Sequence, residues 1–321
     1  MAETGFHIVV SEFVPPGTLE HLTPLGTVVY EPGLAQDREA LEEAVARAHG
    51  LVVRNRTLVD AALLARAPHL RVVGRLGAGL DNMDVPACRH RGVQVVYSPW
   101  GNAASVAEHT VALALALAKR LRAADAMARS SRWDRGALLG TELRGKTWGI
   151  VGFGTVGRLV AEAARCLGMH CITHHPRKHA GHPDLITAGV DWVAEEQLWA
   201  TAHIISIHLP LRPDTLHYVN ARRLAPVRTG ALLVNTSRGG VVDEAALLAA
   251  LTSGRLAGAA LDVREHEPPP QPDPLAALDQ VILTPHTAGL TEEAQERVGR
   301  QVAEDVGRVL RGLPPLHPAP R

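Results

Sequence analysis

Three short segments in the second half of the chain carry side chains that could do acid–base chemistry on a carbonyl compound. They supply Arg238, Glu267 and His286, and they come after a Gly152-x-Gly154-x-x-Gly157 pattern. That glycine pattern is typical of a turn that binds the pyrophosphate of a dinucleotide. An arginine can polarise a carbonyl group, a histidine can move a proton and a nicotinamide can move a hydride. The order of the segments therefore predicts an oxidoreductase site.

Strand-like apolar runs alternate with helical stretches along the chain, which predicts parallel sheets covered by helices. The predicted strands are residues 8–10, 51–53, 71–74, 94–97, 147–151, 170–173, 204–208, 231–235, 257–262 and 281–283. The glycine turn begins only near residue 149, so the residues before it need a sheet of their own. We therefore predict two α/β domains, one formed by residues 1–101 and 287–321 and the other by residues 102–286.

Two long helices are predicted beside these strands. Alternating small residues and leucines over Ala103–Ala128 predict a helix that packs closely on several sides, between domains or subunits. An amphipathic pattern over Thr291–Arg311 predicts a last helix, which we expect to return to the first domain. The proline-rich stretch Glu267–Pro274 predicts an extended loop.

Composition narrows the class of partner. Lysines plus arginines equal aspartates plus glutamates at 33 each, so the overall charge does not favour nucleic acid or an anionic membrane surface. The most apolar run, Val111–Ala118, is too short to span a bilayer. The N-terminus lacks the pattern of a signal peptide, so we expect a cytoplasmic protein. A small-molecule substrate is expected.

The three cysteines fit no metal-binding spacing, and no metal site is predicted. Cys166 and Cys171 lie in apolar stretches, where we expect both to be buried free thiols.

The identity of the cofactor depends on the end of the strand after the glycine turn. An acidic residue that binds the ribose hydroxyls of NAD is usual there, but this chain has Thr173-His-His-Pro-Arg-Lys-His179. Without a carboxylate to repel a 2′-phosphate, and with Arg177 and Lys178 nearby, NADP(H) is favoured. The alternative is a solvated basic loop with NAD(H) held through other contacts.

Several ordered motifs then point to one family. They are Arg75–Asn82, Asn102–His109, Gly152–Gly157, His208–Pro210, Asn235–Gly240, Asp262–Pro268 and Pro285–His286. With these motifs, nearly the whole chain resembles the D-isomer-specific 2-hydroxyacid dehydrogenase family, including its phosphoglycerate, sulfolactate and glyoxylate–hydroxypyruvate reductase-like members. The resemblance implies two Rossmann-like, doubly wound domains: a discontinuous, flavodoxin-like substrate domain and a dinucleotide-binding domain. It also implies a homodimer.

The resemblance assigns roles to single residues. It implies that Arg238 holds the carboxylate and carbonyl oxygen of the substrate, that His286 is the acid/base and that Glu267 pairs with His286. A carboxylate beside an imidazolium stabilises the charged ring, and the planar guanidinium of arginine can bind two oxygens at once, which agrees with these roles. The implied cofactor-binding residues are Gly152, Gly154, Thr155, Val156, Gly157, His175, Pro176, Arg177, Leu209, Pro210, Thr215, Thr236, Arg238, Asp262 and His286.

The predicted substrate contacts come from the first part of the chain. They are Arg54, Ala78, Gly79, Trp100 and Asn102, of which Ala78 and Gly79 are expected to offer backbone N–H groups. Arg54 can recognise a second anionic group such as a phosphate or sulfonate, or it is a solvated surface residue. Trp100 either shapes the pocket or packs between the domains. Arg264 stands where relatives often carry an aromatic residue.

Other functions remain as alternatives. Formate dehydrogenases of this superfamily carry a glutamine where Glu267 stands, so a carboxylate argues against them, and a phosphonate- or phosphite-type dehydrogenase is a further variant. Some relatives are NAD(H)-sensing corepressors that keep the arginine, glutamate and histidine. They usually carry extra partner-binding segments, whereas about nine residues follow the last predicted helix. For the same reason we expect no regulatory domain. Because the motifs fall in both predicted domains, we expect the domains to close around the cofactor.

Overall fold

The computed structural model describes residues 5–174 and 181–320. The chain divides into two compact units: unit 1 comprises Met1–Asn102 and Leu290–Arg321, and unit 2 comprises Ala103–Gly289. The strands are β1 (Phe6–Val10), β2 (Gly26–Tyr30), β3 (Gly50–Val53), β4 (Val72–Arg75), β5 (Gln94–Tyr97), β6 (Thr147–Val151), β7 (His170–His174), β8 (Asp191–Trp192), β9 (Ile204–Ile207), β10 (Ala231–Asn235), β11 (Leu256–Leu261) and β12 (Val281–Leu283).

The helices are α1 (Pro16–Leu22), α2 (Arg38–Val45), α3 (Ala61–Arg66), α4 (Val85–His90), α5 (Ala103–Ala118), α6 (Leu121–Arg129), α7 (Thr155–Cys166), α8 (Pro183–Ala188), α9 (Glu195–Thr201), α10 (Ala221–Leu224), α11 (Glu244–Thr252) and α12 (Glu292–Leu310). Short 3-10 turns lie at Thr23–Leu25, Pro32–Ala35, Gly136–Leu138 and Gly239–Val241.

Unit 1 contains a parallel sheet with strand order β2-β1-β3-β4-β5. Alternate residues of each strand point into different cores: Ile8 and Val10 pack with one apolar cluster, and Val9 packs with another. Both faces of the sheet are therefore covered. This explains why β3 and β4 are buried along their whole length, although β4 ends in Gly74 and Arg75 rather than in apolar side chains.

Helix α12 packs against this sheet at β4 because Gly74 has no side chain. A Cβ atom at Gly74 would lie 2.7 Å from Val302 Cγ1 and 2.8 Å from Val306 Cγ2. The buried carboxylate of Asp305, on the same helix, accepts the backbone N–H groups of Leu316 and His317. These contacts hold the segment after α12 beside β5.

Unit 2 contains a parallel sheet with strand order β12-β11-β10-β9-β6-β7-β8. Its two faces are also both covered, because Ile205 and Ile207 belong to one apolar cluster and Ile204 to the other. The two parallel α/β sheets confirm the predicted fold class.

Aspartate side chains determine where four helices begin. Each accepts the backbone N–H three residues later, which satisfies a donor that the first helical turn leaves unpaired. The caps are Asp37 for α2, Asp60 for α3, Asp84 for α4 and Asp243 for α11.

The structure differs from the sequence prediction in three places. The edge strands β2 and β8 were not predicted, although β2 contains the short apolar run Val28–Tyr30; β2 is only partly buried, and β8 has two residues. The helix predicted over Ala103–Ala128 is divided into α5 and α6, with Arg120 between them at a φ of 52°. Helix α6 buries no residue within the chain, so close packing of this half against another subunit stays a prediction.

The prediction for the cysteines is also corrected. Cys171 is buried as expected, and burial raises the pKa of its thiol to about 11. Cys166 is exposed, because it is the last residue of α7 and lies on the outer side of that helix.

Membrane-spanning helices and metal clusters are both absent from the described residues. No helix within residues 5–174 and 181–320 is long and apolar enough to cross a membrane. In the same part of the chain, no group of three or more His, Cys, Asp or Glu side chains is placed to hold a metal ion.

A buried hydroxyl in unit 1 gives a stability prediction. Thr18 is 1% exposed, its Oγ1 has no hydrogen-bond partner among the described residues, and it lies against Gly299 of α12. Because an unpaired buried polar group is unfavourable, we expect Thr18→Val to raise the free energy of unfolding by about 1 kcal/mol. Urea denaturation measures the change.

Thr57 is the matched control. It is also 1% exposed, but its hydroxyl shares a 2.8 Å hydrogen bond with Ser11 Oγ. Thr57→Val should lower the free energy of unfolding by about 1 kcal/mol or more. Equal effects of the two substitutions would contradict this account of Thr18.

Candidate active site

The predicted catalytic residues of unit 2, and those predicted cofactor residues that the structure describes, lie along one edge of its sheet. Strands β12, β11, β10, β9 and β6 are parallel neighbours, so their carboxyl ends meet at the same edge. The segments that follow these strands contain Gly152–Gly157, His208–Thr215, Thr236–Arg238, Asp262–Glu267 and Thr284–His286. Ligands of open parallel sheets bind outside this edge.

The glycine turn has a separate geometric reason at each glycine. Gly152 has a φ of +95°, and a Cβ there would lie 2.7 Å from His208 O. A Cβ at Gly157 would lie 2.4 Å from Gly152 O, so Gly157 allows α7 to pack on the turn. No atom of the described residues lies within 4 Å of the corresponding position at Gly154, where α7 begins without a side-chain cap. Thr155 and Val156 are the first residues of α7, and the uncapped N–H groups of this turn can bind a pyrophosphate.

The loop after β9 lies beside the glycine turn. Leu209 Cδ2 is 3.0 Å from the position that a Cβ at Gly152 would take. Thr215 Oγ1 donates to Pro210 O at 2.6 Å, which closes the loop. His208 Nε2 is 2.8 Å from Ser206 Oγ, and burial lowers the pKa of His208 to about 3. His208 is therefore neutral at physiological pH.

Asn235 shapes the turn that presents Arg238. Its side chain is fully buried; Oδ1 accepts from Ser237 N at 3.0 Å, and Nδ2 donates to Arg238 O at 3.0 Å. Arg238 Nη1 donates to Ser237 O at 2.7 Å. Thr236, which was predicted to contact the cofactor, is 7% exposed, and its hydroxyl is 2.7 Å from that of Thr110.

Glu267 and His286 form a close pair. His286 Nδ1 is 2.7 Å from Glu267 Oε2, and each side chain is about a third exposed, at 35% for Glu267 and 37% for His286. Burial acts to raise the pKa of Glu267, but the hydrogen bond and charge of His286 and the positive charge of Arg238 outweigh it and hold that pKa below its usual value. Glu267 is therefore a carboxylate at neutral pH, and its bond to Nδ1 leaves Nε2 of His286 for a substrate.

Asp262 holds the segment that carries His286. Its side chain is 1% exposed; Oδ1 accepts from Thr284 Oγ1 at 2.6 Å and Thr287 N at 2.8 Å, and Oδ2 accepts from Ala288 N at 2.8 Å. His286 has a φ of 56°, a left-handed conformation that is unfavourable for a side chain with a Cβ. The hydrogen bonds to Asp262 offset this strain.

In unit 1, the loop that carries Arg54 is held by a buried carboxylate. Glu12 is 5% exposed and accepts the backbone N–H groups of Arg54, Arg56 and Thr57. Asn82 Nδ2 donates to Arg54 O at 3.0 Å and to Thr57 O at 2.7 Å. Arg54 Nη1 donates to Phe13 O at 3.3 Å. Burial lowers the pKa of Arg54, although the negative charge of Glu12 acts to raise it.

The other predicted substrate residues of unit 1 follow β4 and β5. Ala78 is exposed, and Gly79 and Asn102 are half-buried. Trp100 is 59% exposed and meets the ring of His317 edge to face at 6.2 Å between centroids.

The basic loop after β7 contains His175, Pro176, Arg177 and Lys178. These four residues, which carry the prediction of NADP(H), lie outside the described residues.

Sequence reasoning missed several residues that support the site. Glu12 and Thr284 were given no role, and Asn82 and Asn235 appeared only as parts of motifs. An isolated acidic or amide side chain at a strand end is the available signal, but its partners are distant in sequence, as with Glu12 and Arg54. Asp262 was predicted to bind the cofactor; its carboxylate accepts from Thr284, Thr287 and Ala288, and it lies 3.6 Å from His109 Nε2.

Comparisons with known proteins agree with the motifs. The sequence model of the "D-isomer specific 2-hydroxyacid dehydrogenase, NAD binding domain" matches residues 111–288. The chain is 38% identical over 307 residues to a D-3-phosphoglycerate dehydrogenase of Archaeoglobus fulgidus, covering 96% of this chain and 58% of the relative. It is 39% identical to an (S)-sulfolactate dehydrogenase of Chromohalobacter salexigens, covering 94% of this chain and 98% of the relative.

The chain thus spans just over half the length of the phosphoglycerate dehydrogenases it matches. Among solved structures, the TT0316 protein of Thermus thermophilus is similar with a TM-score of 0.91 and 34% identity, covering 98% of this chain and all of that one. The ordered motifs, the profile match over more than half of the chain and these full-length similarities lead to one conclusion. The chain belongs to the D-isomer-specific 2-hydroxyacid dehydrogenase family.

Proposed function

We propose that the chain is a nicotinamide-dependent oxidoreductase that interconverts a small 2-oxo acid and the corresponding D-2-hydroxy acid. The observation that carries the proposal is the 2.7 Å pair of Glu267 and His286, on the sheet edge that also presents Arg238 and the glycine turn. The pair provides a proton donor, and Arg238 provides a cation for the carboxylate and carbonyl oxygen.

The residues present fit a dinucleotide. The open space at Gly154 and the uncapped start of α7 suit a pyrophosphate, with the N–H groups of Thr155 and Val156 as donors. Leu209, Pro210, Thr215 and Thr236 follow neighbouring strands on the same edge, and Asp262 would act on the nicotinamide side. When bound, a reduced nicotinamide cofactor supplies the hydride.

The protein's own part is binding and proton transfer. Arg238 would bind the substrate carboxylate and counter the charge that develops on the carbonyl oxygen. Protonated His286 would donate the Nε2 proton to that oxygen as the carbonyl carbon is reduced, while Nδ1 stays bonded to Glu267. In the oxidative direction the neutral ring takes the same proton back.

The substrate's remaining group is proposed to be anionic. Two relatives are named for phosphoglycerate and sulfolactate, which both carry a second acidic group. Arg54 is the proposed partner of such a group, with the N–H groups of Ala78 and Gly79 on the carboxylate and with Trp100 and Asn102 shaping the pocket.

The cytoplasmic location and the homodimer remain predictions from the sequence.

The corepressor alternative uses the same fold and the same three residues, so turnover decides between the two functions. We expect NAD(P)H-dependent reduction of at least one compound among glyoxylate, hydroxypyruvate, 2-oxoglutarate, 3-sulfopyruvate and phosphohydroxypyruvate. Steady-state kinetics with each compound and each cofactor test the proposal. Nucleotide binding without turnover of any 2-oxo acid would favour a sensor.

His286→Ala should lower kcat for reduction at least about a hundredfold, because general acid catalysis contributes that much. The dissociation constant of the cofactor, measured by fluorescence titration, should change little. His170→Ala is a suitable control, since His170 is exposed at the amino end of β7, away from the carboxyl edge. Near-normal turnover in His286→Ala would rule out the acid/base assignment.

Glu267→Gln should give an active enzyme with a changed pH profile. The Glu267 carboxylate, ionised at neutral pH, stabilises the protonated imidazole, whereas an amide does not. The proton-donating form should therefore be lost at lower pH, and kcat for reduction should fall at lower pH than in the parent. Profiles of kcat from about pH 5 to 9 measure the shift, and a shift towards higher pH would contradict the proposed pairing.

Cofactor preference follows from the basic loop in the sequence. We expect kcat/KM to favour NADPH over NADH about tenfold, since one partly exposed arginine–phosphate contact contributes roughly that factor. Arg177→Ala should remove most of the preference, and His175→Asp should shift it towards NADH. A higher kcat/KM with NADH in the parent would mean that the loop is solvated.

A further inference from the structure

Arg264 forms a buried ionic cluster in the loop that carries Glu267. Its side chain is only 8% exposed. Nε and Nη2 donate to the two oxygens of Glu244 at 2.9 Å each, and Nη1 and Nη2 donate to those of Asp273 at 2.6 and 3.0 Å. One guanidinium thus makes two bidentate ion pairs.

The cluster joins three stretches of unit 2. Glu244 is the first residue of α11, and its carboxylate also accepts Glu265 N at 2.9 Å. In return, Glu265 Oε1 accepts Glu244 N at 3.0 Å. Asp273 accepts Leu275 N at 3.0 Å. Arg264 therefore links the loop that carries Glu267 to the start of α11 through Glu244, and to the segment around Asp273.

The backbone of Arg264 connects this cluster to the catalytic pair. Arg264 N donates to Glu267 Oε1 at 3.1 Å, and the other carboxylate oxygen bonds His286 at 2.7 Å. A Cβ atom at Gly239 would lie only 1.8 Å from the carbonyl oxygen of Arg264. The Arg264 backbone therefore packs directly on Gly239, the residue after Arg238. The position of the Arg264 backbone thus orients the Glu267 carboxylate.

The charges in the cluster are strongly coupled. Burial acts to lower the pKa of Arg264, but the hydrogen bonds to Glu244 and Asp273 raise it above its ordinary value. The hydrogen bond to Arg264 in turn lowers the pKa of Asp273. A lysine would keep the charge, but it could not form two bidentate pairs.

We propose that Arg264 is a positioning residue for the Glu267–His286 pair, an inference that rests on the proposed function. It acts by fixing the backbone N–H that binds Glu267, without touching substrate or cofactor itself. A lysine at this position keeps the charge but cannot hold both acidic partners. The Glu267 carboxylate is then less well positioned, while the rest of the site stays in place.

The first test is kinetic. Arg264→Lys should lower kcat for 2-oxo acid reduction about tenfold, as loss of catalytic alignment does, with KM and the cofactor dissociation constant changed less than about threefold. In a Glu267→Gln background the same substitution should lower kcat less than about twofold, because the effect runs through Glu267. A full tenfold loss in both backgrounds would overturn the proposal.

Arg38→Lys is the matched control for a lost arginine ion pair. Arg38 also lies between two carboxylates, at 2.9 Å from Glu42 and 2.6 Å from Asp60, but in unit 1 and outside the proposed catalytic machinery. Both variants should unfold at a somewhat lower temperature, and only Arg264→Lys should lower kcat. An equal kcat loss in both would mean that a general loss of stability causes it.

A second readout does not depend on turnover. In histidine-labelled protein, the Nδ1–H proton of His286, bonded to Glu267, should give a downfield NMR signal that moves upfield or broadens in Arg264→Lys. If Arg264→Lys does not fold, Asp273→Asn, which keeps the Glu244 pair, takes its place. An unchanged signal in a folded variant overturns the positioning role. A changed signal in a protein that reduces no 2-oxo acid would instead refute the proposed function alone.

Discussion

The buried carboxylate of Asp262 is the interaction on which the geometry of the unit 2 site depends. At 1% exposure it has little access to water, so its charge must be stabilised by protein donors. Thr284, Thr287 and Ala288 supply those donors from the segment after β12. His286 N also donates to Asp262 O at 2.8 Å. A charge at the end of one strand therefore fixes the chain at the end of the next, and it holds His286 in a conformation that would otherwise be unfavourable.

The same arrangement, a buried polar side chain that accepts hydrogen bonds from backbone N–H groups, occurs at several other places in the molecule. Glu12 accepts backbone N–H groups from the loop of Arg54, Asp305 accepts them from the segment after α12, and Asn235 accepts one from the turn of Arg238. Loops at the carboxyl ends of parallel strands have no sheet partners for their own backbone groups. Buried side-chain acceptors replace those partners, and the loops are thereby held on rigid elements.

Much of the fold was predictable because its signals are local. Continuous apolar runs identified the buried strands, and the spacing of Gly152, Gly154 and Gly157 identified the turn between β6 and α7. Family membership, which the comparisons confirm, also followed from ordered motifs. Edge strand β2 was missed because it is only partly buried, and the break at Arg120 because nothing in the local pattern indicates a left-handed residue there. The partners of Glu12 and Arg264 could not be predicted, since they lie 9 to 45 residues away and only folding brings them together.

The charge balance around Glu267 shows why an arginine at position 264 suits this chain. The stretch from Glu244 to Asp273 brings the carboxylates of Glu244, Glu265 and Asp273 to the loop that carries Glu267. Unpaired, these like charges would favour protonation of one of the three acids. Arg264 satisfies two of the carboxylates, and His217 lies 3.1 Å from the third. Glu267 is then left to interact with His286 and Arg238, whose charges keep it ionised. An aromatic side chain at the same position could fill the space, but it could not neutralise Glu244 and Asp273, so the arginine and its two acidic partners form one electrostatic unit.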